Sequence, residues 1–277
     1  MRYIIILLVT VFSKNTLDAQ VSASGNSLWT NPKDGMTFVW IPAGSFEIEI
    51  PYDSSGTIKY TKEKKTFAEG FWMGQTEVTV RQYQNFVKET GYITEAEING
   101  DPFNWKNTGF KQKKDHPVVY ISYQDIEAYT EWGGVDIPYE NEWLYACKAG
   151  ISNRFYWGDE FDDKYVWYRG NSMTGTKPVG KKLPNRWELY DMVGNVWEFI
   201  HICDGIVGLR GGAWTRCDEA SGRTGSTYSN IIYGTVSPRM MRCVKTIFQP
   251  SNRDDDRGFR CIKRGSGELS RGNLLYQ

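Results

Sequence analysis

The tightest constraint on the fold is a shortage of periodicity. From Gly158 onward, apolar runs are short and lie between turns rich in Gly and Asn, so no long helix or wide ladder can organise that half of the chain. The best strand candidates there are 196–202, 208–214 and 258–263; 221–237 and 248–257 carry little pattern. Such a chain must satisfy many backbone polar groups without regular pairing. Disulfides, Trp and Tyr side chains and bound cations can do that, and the sequence offers 5 Cys, 11 Trp and 17 Tyr.

The first half is better marked. Residues 36–44 alternate like a strand and stop at Pro42 and Gly44, and 70–73 read the same way. Thr79 can cap a helix whose apolar face is Val80, Tyr83, Phe86 and Val87, with Gly91 as the left-handed stop. Ser122 and Asp125 form a capping-box pattern ahead of Ile126, Tyr129 and Trp132, and Gly133-Gly134 terminate. A third helix is expected over 140–149, with Trp143, Leu144 and Cys147 inward and Gly150 as terminator. Short strands and few helices in one chain give an α+β class. No linker, charge block or repeat divides the chain, so one domain is expected.

Met1-Arg2, the apolar run from Tyr3 to Phe12 and the ending Leu17-Asp18-Ala19-Gln20 have the layout of a secretory signal peptide cleaved after Ala19. The apolar run is about half the roughly 20 residues needed to cross a bilayer. The expected plan is a signal peptide over 1–19, a leader over 20–35, a domain over 36–265 and a tail over 266–277. The mature protein is expected to be secreted or periplasmic and not inserted in a membrane. With 33 basic and 33 acidic residues there is no net field and no basic face, which argues against nucleic acid as a partner. The five cysteines, Cys147, Cys203, Cys217, Cys243 and Cys261, lack the close paired spacing of a zinc site and read first as disulfide partners, one being left over. With only His116 and His201, a three-histidine metal centre is impossible, and each histidine reads as structural. Asp254-Asp255-Asp256 reads as a solvated charge run whose side chains diverge.

A set of motifs then recurs in a fixed order. It begins with Phe38-Val-Trp-Ile-Pro-Ala-Gly-Ser-Phe46, Glu77-Val-Thr79, His116-Pro-Val-Val119, Tyr139-Glu-Asn-Glu-Trp-Leu-Tyr-Ala146 and Phe155-Tyr-Trp-Gly158. It continues with Asn171, Pro178-Val-Gly180, Pro184-Asn185, Leu189-Tyr-Asp-Met-Val-Gly-Asn-Val-Trp-Glu198, Leu209-Arg-Gly-Gly-Ala-Trp214 and Arg257-Gly-Phe-Arg-Cys261. Over about 37–263 this resembles the formylglycine-generating enzyme, or sulfatase-modifying factor, superfamily. The stretch from Trp167-Tyr168 to Pro178-Val-Gly180 looks more like its bacterial accessory-protein branch. The resemblance implies a C-type-lectin-related fold with little regular secondary structure, in which most Trp belongs to the core.

It also implies one calcium turn, with the Asp191 and Glu198 side chains and the Gly194 and Val196 carbonyls as ligands. Asp191 stands where the family's enzymes carry Asn. A hard cation needs several oxygens, and a Gly turn can aim carbonyls at it. The family's other calcium site requires an Asn where this chain has Val166-Trp167, so one ion is expected. The family's enzymes oxidise a target cysteine with copper held by two thiolates five residues apart, and linear sulfur ligation selects Cu(I). Counted from Gly211-Gly212, those positions fall on Arg216 and Ser221, and the active-site Ser becomes Ala213. Cys217 lies one residue out of register, and its five-residue partner is Gly222. Copper is therefore not expected. The family's buried bridge maps onto Cys147 and Cys243; the partner of Cys261 in the second bridge falls on Thr130; Cys203 and Cys217 can pair with each other. The favoured function is a binding or accessory module for a protein or small-molecule ligand. The alternatives are an oxidoreductase of the formylglycine-generating type, with Cys217 and Trp197 as candidate catalytic residues, and carbohydrate binding.

Overall fold

The computed structural model describes residues 20–21, 25–54, 57–203, 206–215 and 253–265, and its helices begin where the sequence supplies a cap. Helix α1 (Val80–Thr90) starts at Thr79, whose hydroxyl accepts from the Gln82 N–H while the Gln82 side chain accepts from the Thr79 N–H at 2.8 Å. It stops at Gly91, at φ 70°. The short α2 (Glu95–Ile98) repeats the device with Thr94 and Glu97, a capping box that the sequence reading passed over. Helix α3 (Tyr123–Gly133) carries the expected Ser122–Asp125 box and ends on Gly134 at φ 64°. Helix α4 (Glu140–Lys148) ends on Ala149, at φ 46°, one residue before the Gly150 expected to stop it. A single turn, α5 (Arg169–Ser172), follows.

The strands are β1 (Gln20–Val21), β2 (Ser27–Thr30), β3 (Thr37–Ile41), β4 (Gly44–Ser54), β5 (Thr57–Phe67), β6 (Phe71–Gly74), β7 (Trp197–Cys203), β8 (Ile206–Arg210), β9 (Arg257–Phe259) and β10 (Ile262–Arg264). They form an antiparallel sheet in the order β1-β2-β3-β6-β10, a β4-β5 hairpin, and a three-stranded sheet β8-β7-β9 in which β7 and β9 run parallel.

Three departures from the expected elements have physical causes. The strand expected over 208–214 stops at Arg210, because Gly211 and Gly212 adopt φ of 95° and 81°. The strand expected over 258–263 is two strands in different sheets: β9 pairs with β7, β10 pairs with β6, and Arg260-Cys261 cross between them. The β4–β5 hairpin arose where no element was expected, since Glu and Lys mask its alternation.

Among the described residues, two buried clusters fill the interior. One gathers Trp143, Phe155, Leu189, Met192, Val193 and Ile200; the other gathers Phe38, Tyr83, Phe86, Ile126, Tyr129 and Phe259. Burying a side chain such as Phe155 or Phe259 contributes roughly 1.5–3 kcal/mol. The 260–261 crossover passes between the two sheets, and the Cys261 carbonyl accepts from Gly74 N–H at 2.8 Å, so the crossover is fixed at both ends. No helix among the described residues is long and apolar enough to cross a membrane.

Candidate functional site

The Leu189–Glu198 segment fastens four parts of the chain together. Tyr190 N–H donates to Gln75 O at 2.9 Å, Gly194 N–H to Gly211 O at 2.9 Å, Asn195 N–H to Trp167 O at 2.9 Å, and Trp197 N–H to Asp256 O at 2.8 Å. The buried Asn195 amide accepts from Lys177 N–H at 2.9 Å and donates to Lys177 O at 3.3 Å. Only Gly fits at 194. Its φ is 89°, and a Cβ there would lie 2.3 Å from the Trp167 carbonyl oxygen. Asp191 and Asn195, at φ 54° and 57°, are the kinds of side chain that tolerate this region.

Beneath the turn is a buried charged cluster. Arg260, fully buried, meets Glu198 through Nε at 3.1 Å to both carboxylate oxygens and through Nη2 at 2.7 Å to Oε1. Its Nη1 donates to Gly74 O at 2.9 Å and Nη2 to Tyr190 O at 2.8 Å. Trp143 Nε1 donates to Glu198 Oε2 at 2.6 Å. Asp191 Oδ2 accepts from Gly180 N–H at 2.6 Å, whereas Asp191 Oδ1 has no hydrogen-bond partner among the described residues. Glu77 joins the cluster from the segment between β6 and α1, fully buried, with neither carboxylate oxygen hydrogen-bonded among the described residues. Three carboxylates thus face one guanidinium. Burial, then Asp191 and Glu198, hold the Glu77 carboxyl well above its ordinary range against the pull of Arg260. Burial pushes Asp191 up to about 6, opposed by the Gly180 N–H and Arg260 and reinforced by Glu198.

Of the residues marked in the sequence, Asp191 and Glu198 therefore share one cluster. Glu77 and Arg260 stand in the sequence only as members of longer motifs, and nothing local in the sequence shows that both are fully buried. A calcium ion fits this donor set in part. Asp191 Oδ1 is an available hard oxygen, while both oxygens of Glu198 already accept from Arg260 or Trp143.

Around the Gly211-Gly212 turn, Ala213 is buried, the Trp214 indole donates to Asp255 O at 3.2 Å, and Thr215 donates to Asp256 Oδ2 at 2.6 Å. Trp197 is half-buried on β7. Asp254, Asp255 and Asp256 do not diverge: one carboxylate oxygen from each lies within 4.8 Å of the others, because a tight turn ahead of β9 folds them together. Asp256 is buried and 3.9 Å from Arg257 Nε. His116 Nδ1 lies 3.1 Å from Thr176 Oγ1, with burial lowering its imidazole pKa, and His201 Nε2 lies 3.1 Å from Asp136 Oδ1. Each histidine has its own structural partner. Cys147 is buried, its thiol pushed up to about 12 by burial, and Cys261 is buried beside Arg260. The signal segment 1–19, Arg216, Cys217, Ser221, Gly222 and Cys243 lie outside the described residues, so both expected cysteine pairings reach beyond them.

The sequence matches the family described as "Sulfatase-modifying factor enzyme 1-like domain" over residues 26–265. It is 28% identical over 229 residues to the formylglycine-generating enzyme of Mus musculus, a match covering 65% of this chain and 62% of that protein, so the chain spans less than two thirds of that relative. It is 26% identical over 306 aligned positions to the inactive C-alpha-formylglycine-generating enzyme 2 of Bos taurus, covering 87% of this chain and 94% of that protein. Among solved structures, PvdO from Pseudomonas aeruginosa superposes with a TM-score of 0.65 at 23% identity, covering 86% of this chain and 98% of that one. The Treponema denticola variable protein 1 gives 0.57 at 19% identity, covering 87% and 99%. These structural likenesses show a formylglycine-generating-enzyme-like fold.

Proposed function

The chain belongs to the sulfatase-modifying factor family, and from that premise we propose that it is an exported, non-catalytic binding or accessory module. The observation that carries this reading is a count of sulfur ligands. After Gly211-Gly212, the two positions where the family's enzymes hold copper are Arg216 and Ser221, and Ala213 replaces the active-site Ser. Cys217 alone supplies one thiolate where Cu(I) needs two. An inactive relative that matches 87% of this chain supports the same direction.

One calcium ion, structural in role, belongs to the reading. The Asp191 side chain and the Gly194 and Val196 carbonyls would hold it, and its charge would offset buried carboxylates and lock the turn that carries β7. The test is oxygen uptake by the purified chain, supplied with copper and a cysteine-containing peptide. No uptake above the protein-free control is expected; uptake that Cys217→Ser abolishes would overturn the non-catalytic reading in favour of an oxidoreductase.

A further inference from the structure

We propose that the outer edge of β5 is a docking strand for an extended acidic segment of a partner polypeptide, which adds to the β4–β5 hairpin as a third strand. The surface names a partner chemistry for the binding module proposed above, but it rests on the hairpin alone and lies far in sequence from the Gly211-Gly212 turn.

β4 and β5 are 11 residues each, the longest strands among the described residues, where about 5–6 is usual. They pair without a break from Gly44 opposite Phe67 to Ser54 opposite Thr57, and no further strand lies beside either among the described residues. The root is anchored: Phe46 is buried, and the Phe67 ring lies 4.8 Å from that of Tyr145 on α4 and 5.7 Å from that of Phe71. Two strands alone are marginal in water, and a third strand is one way to steady them. Each outer edge presents a row of N–H and C=O groups, a template for another chain.

The two edges are not equivalent. β4 contains Pro51, and a proline within a strand sits with its nitrogen on the outer side, so that edge lacks a donor midway along its length. β5 contains no proline. The strands also differ in charge: β4 carries Glu47, Glu49 and Asp53 and no basic residue, whereas β5 carries Lys59, Lys62, Lys64 and Lys65 against Glu63 alone.

The pairing within the hairpin shows which strand β5 accepts. Glu47 stands opposite Lys64, and Glu49 opposite Lys62. Lys62, Lys64 and Thr66 share one face and are exposed, while Glu63, Lys65 and Phe67 alternate with them and are half-buried. Lys62 is only loosely engaged, 3.7 Å from Glu47, with 68% of its side chain exposed. An acidic strand on the free side would set a carboxylate about 4.5–5.5 Å from each exposed lysine, repeating from outside the pairing that β4 makes from inside. The pattern required is Glu or Asp at every second residue. A second copy of the chain fits poorly: β5 on β5 sets Lys against Lys, and the β4 edge is broken at Pro51. The same lysines repel unrelated apolar strands, so the charge both admits and excludes.

The experiment is hydrogen–deuterium exchange of the full chain, read by mass spectrometry over residues 57–67, with a synthetic peptide of about eight residues alternating Glu and Thr. A Lys/Thr peptide and a Glu/Pro peptide, which lacks the donors, are the controls, and calorimetry supplies the affinities. In the free chain the outward amides of 57–67 should exchange fast at every protein concentration. The Glu/Thr peptide should slow them roughly tenfold at ten times its Kd, and neither control should. Lys62→Gln/Lys64→Gln alters exposed side chains alone and should change Tm little, yet weaken the Glu/Thr peptide roughly 2–30-fold, the scale of two exposed ion pairs. Added salt should weaken the wild-type complex. The proposal is overturned by no protection from the Glu/Thr peptide, by equal binding of the Lys/Thr peptide, or by wild-type affinity in the double variant. Slow exchange in the free chain at every dilution would mean that the chain covers its own edge, and protection only at high protein concentration would assign the edge to a second copy; either overturns it. None of these outcomes bears on oxygen uptake, so this proposal and the non-catalytic reading fail separately.

Discussion

Replacing Arg260 by Met tests whether the buried cluster is held by one guanidinium. The change keeps the length and apolar bulk of the side chain but removes the partner of Glu198 and the donors to Gly74 O and Tyr190 O. Leaving one member of a fully buried pair unpaired costs about 3–5 kcal/mol. Each carbonyl left without a donor pushes the cost toward the upper end. For a chain of this size, ~1 kcal/mol corresponds to roughly 2–4 °C in Tm, so the variant should melt about 6–20 °C lower. Urea denaturation at neutral pH in EGTA, with scanning calorimetry alongside, measures it. The double variant Glu198→Gln/Arg260→Met should recover about 1–3 kcal/mol of the loss, because the orphaned charge goes with its partner. A loss below about 1 kcal/mol for Arg260→Met, or a double variant worse than the sum of the singles, would refute the assignment of Arg260 as the cluster's counter-ion.

Gly194→Ala should cost about 1–3 kcal/mol from backbone conformation alone and more from the approach of Cβ to the Trp167 carbonyl; a chemical-denaturation midpoint equal to wild type would contradict the turn geometry. Acidification gives a signed prediction. The Asp191 carboxyl has its folded pKa raised to about 6, so its protonated form favours the folded state: the contribution is full below about 4 and lost as pH rises through 6. In EGTA, wild type should therefore gain on the order of 3 kcal/mol relative to Asp191→Asn between pH 7 and pH 4, and a parallel pH dependence in the two proteins would contradict it.

What the sequence made legible was local. Thr79 with Gln82 and Ser122 with Asp125 are three apart and cap their own helices, and Gly91 and Gly134 stop them by a conformation that glycine adopts without strain. The hairpin was hidden because charged residues interrupt its alternation: Glu47 pairs with Lys62 at 3.7 Å across the ladder and Glu63 with Lys65 along one strand, while Phe46, Ile48 and Phe67 pack its apolar side against the core. The break at 260 was hidden because Gly258-Phe-Arg-Cys-Ile-Lys263 alternates like one strand; only the demand for a guanidinium between two sheets shows why it must be two. Asp191 and Glu198 were found since they share a turn. Glu77 was not, because it meets Asp191 across more than a hundred residues of chain, and a lone Glu before a helix cap reads as solvated. The one available signal was its place in a motif with apolar Val78 beside it.

The central claim, that the ligand set for copper oxidation is missing, is tested most directly by titrating the non-reduced chain with Cu(I) and reading the metal's ligands by X-ray absorption. The account predicts no stoichiometric copper bound by two sulfurs and the same copper uptake in Cys217→Ser. One copper per chain in two-sulfur ligation, lost when Cys217 is replaced, would contradict it.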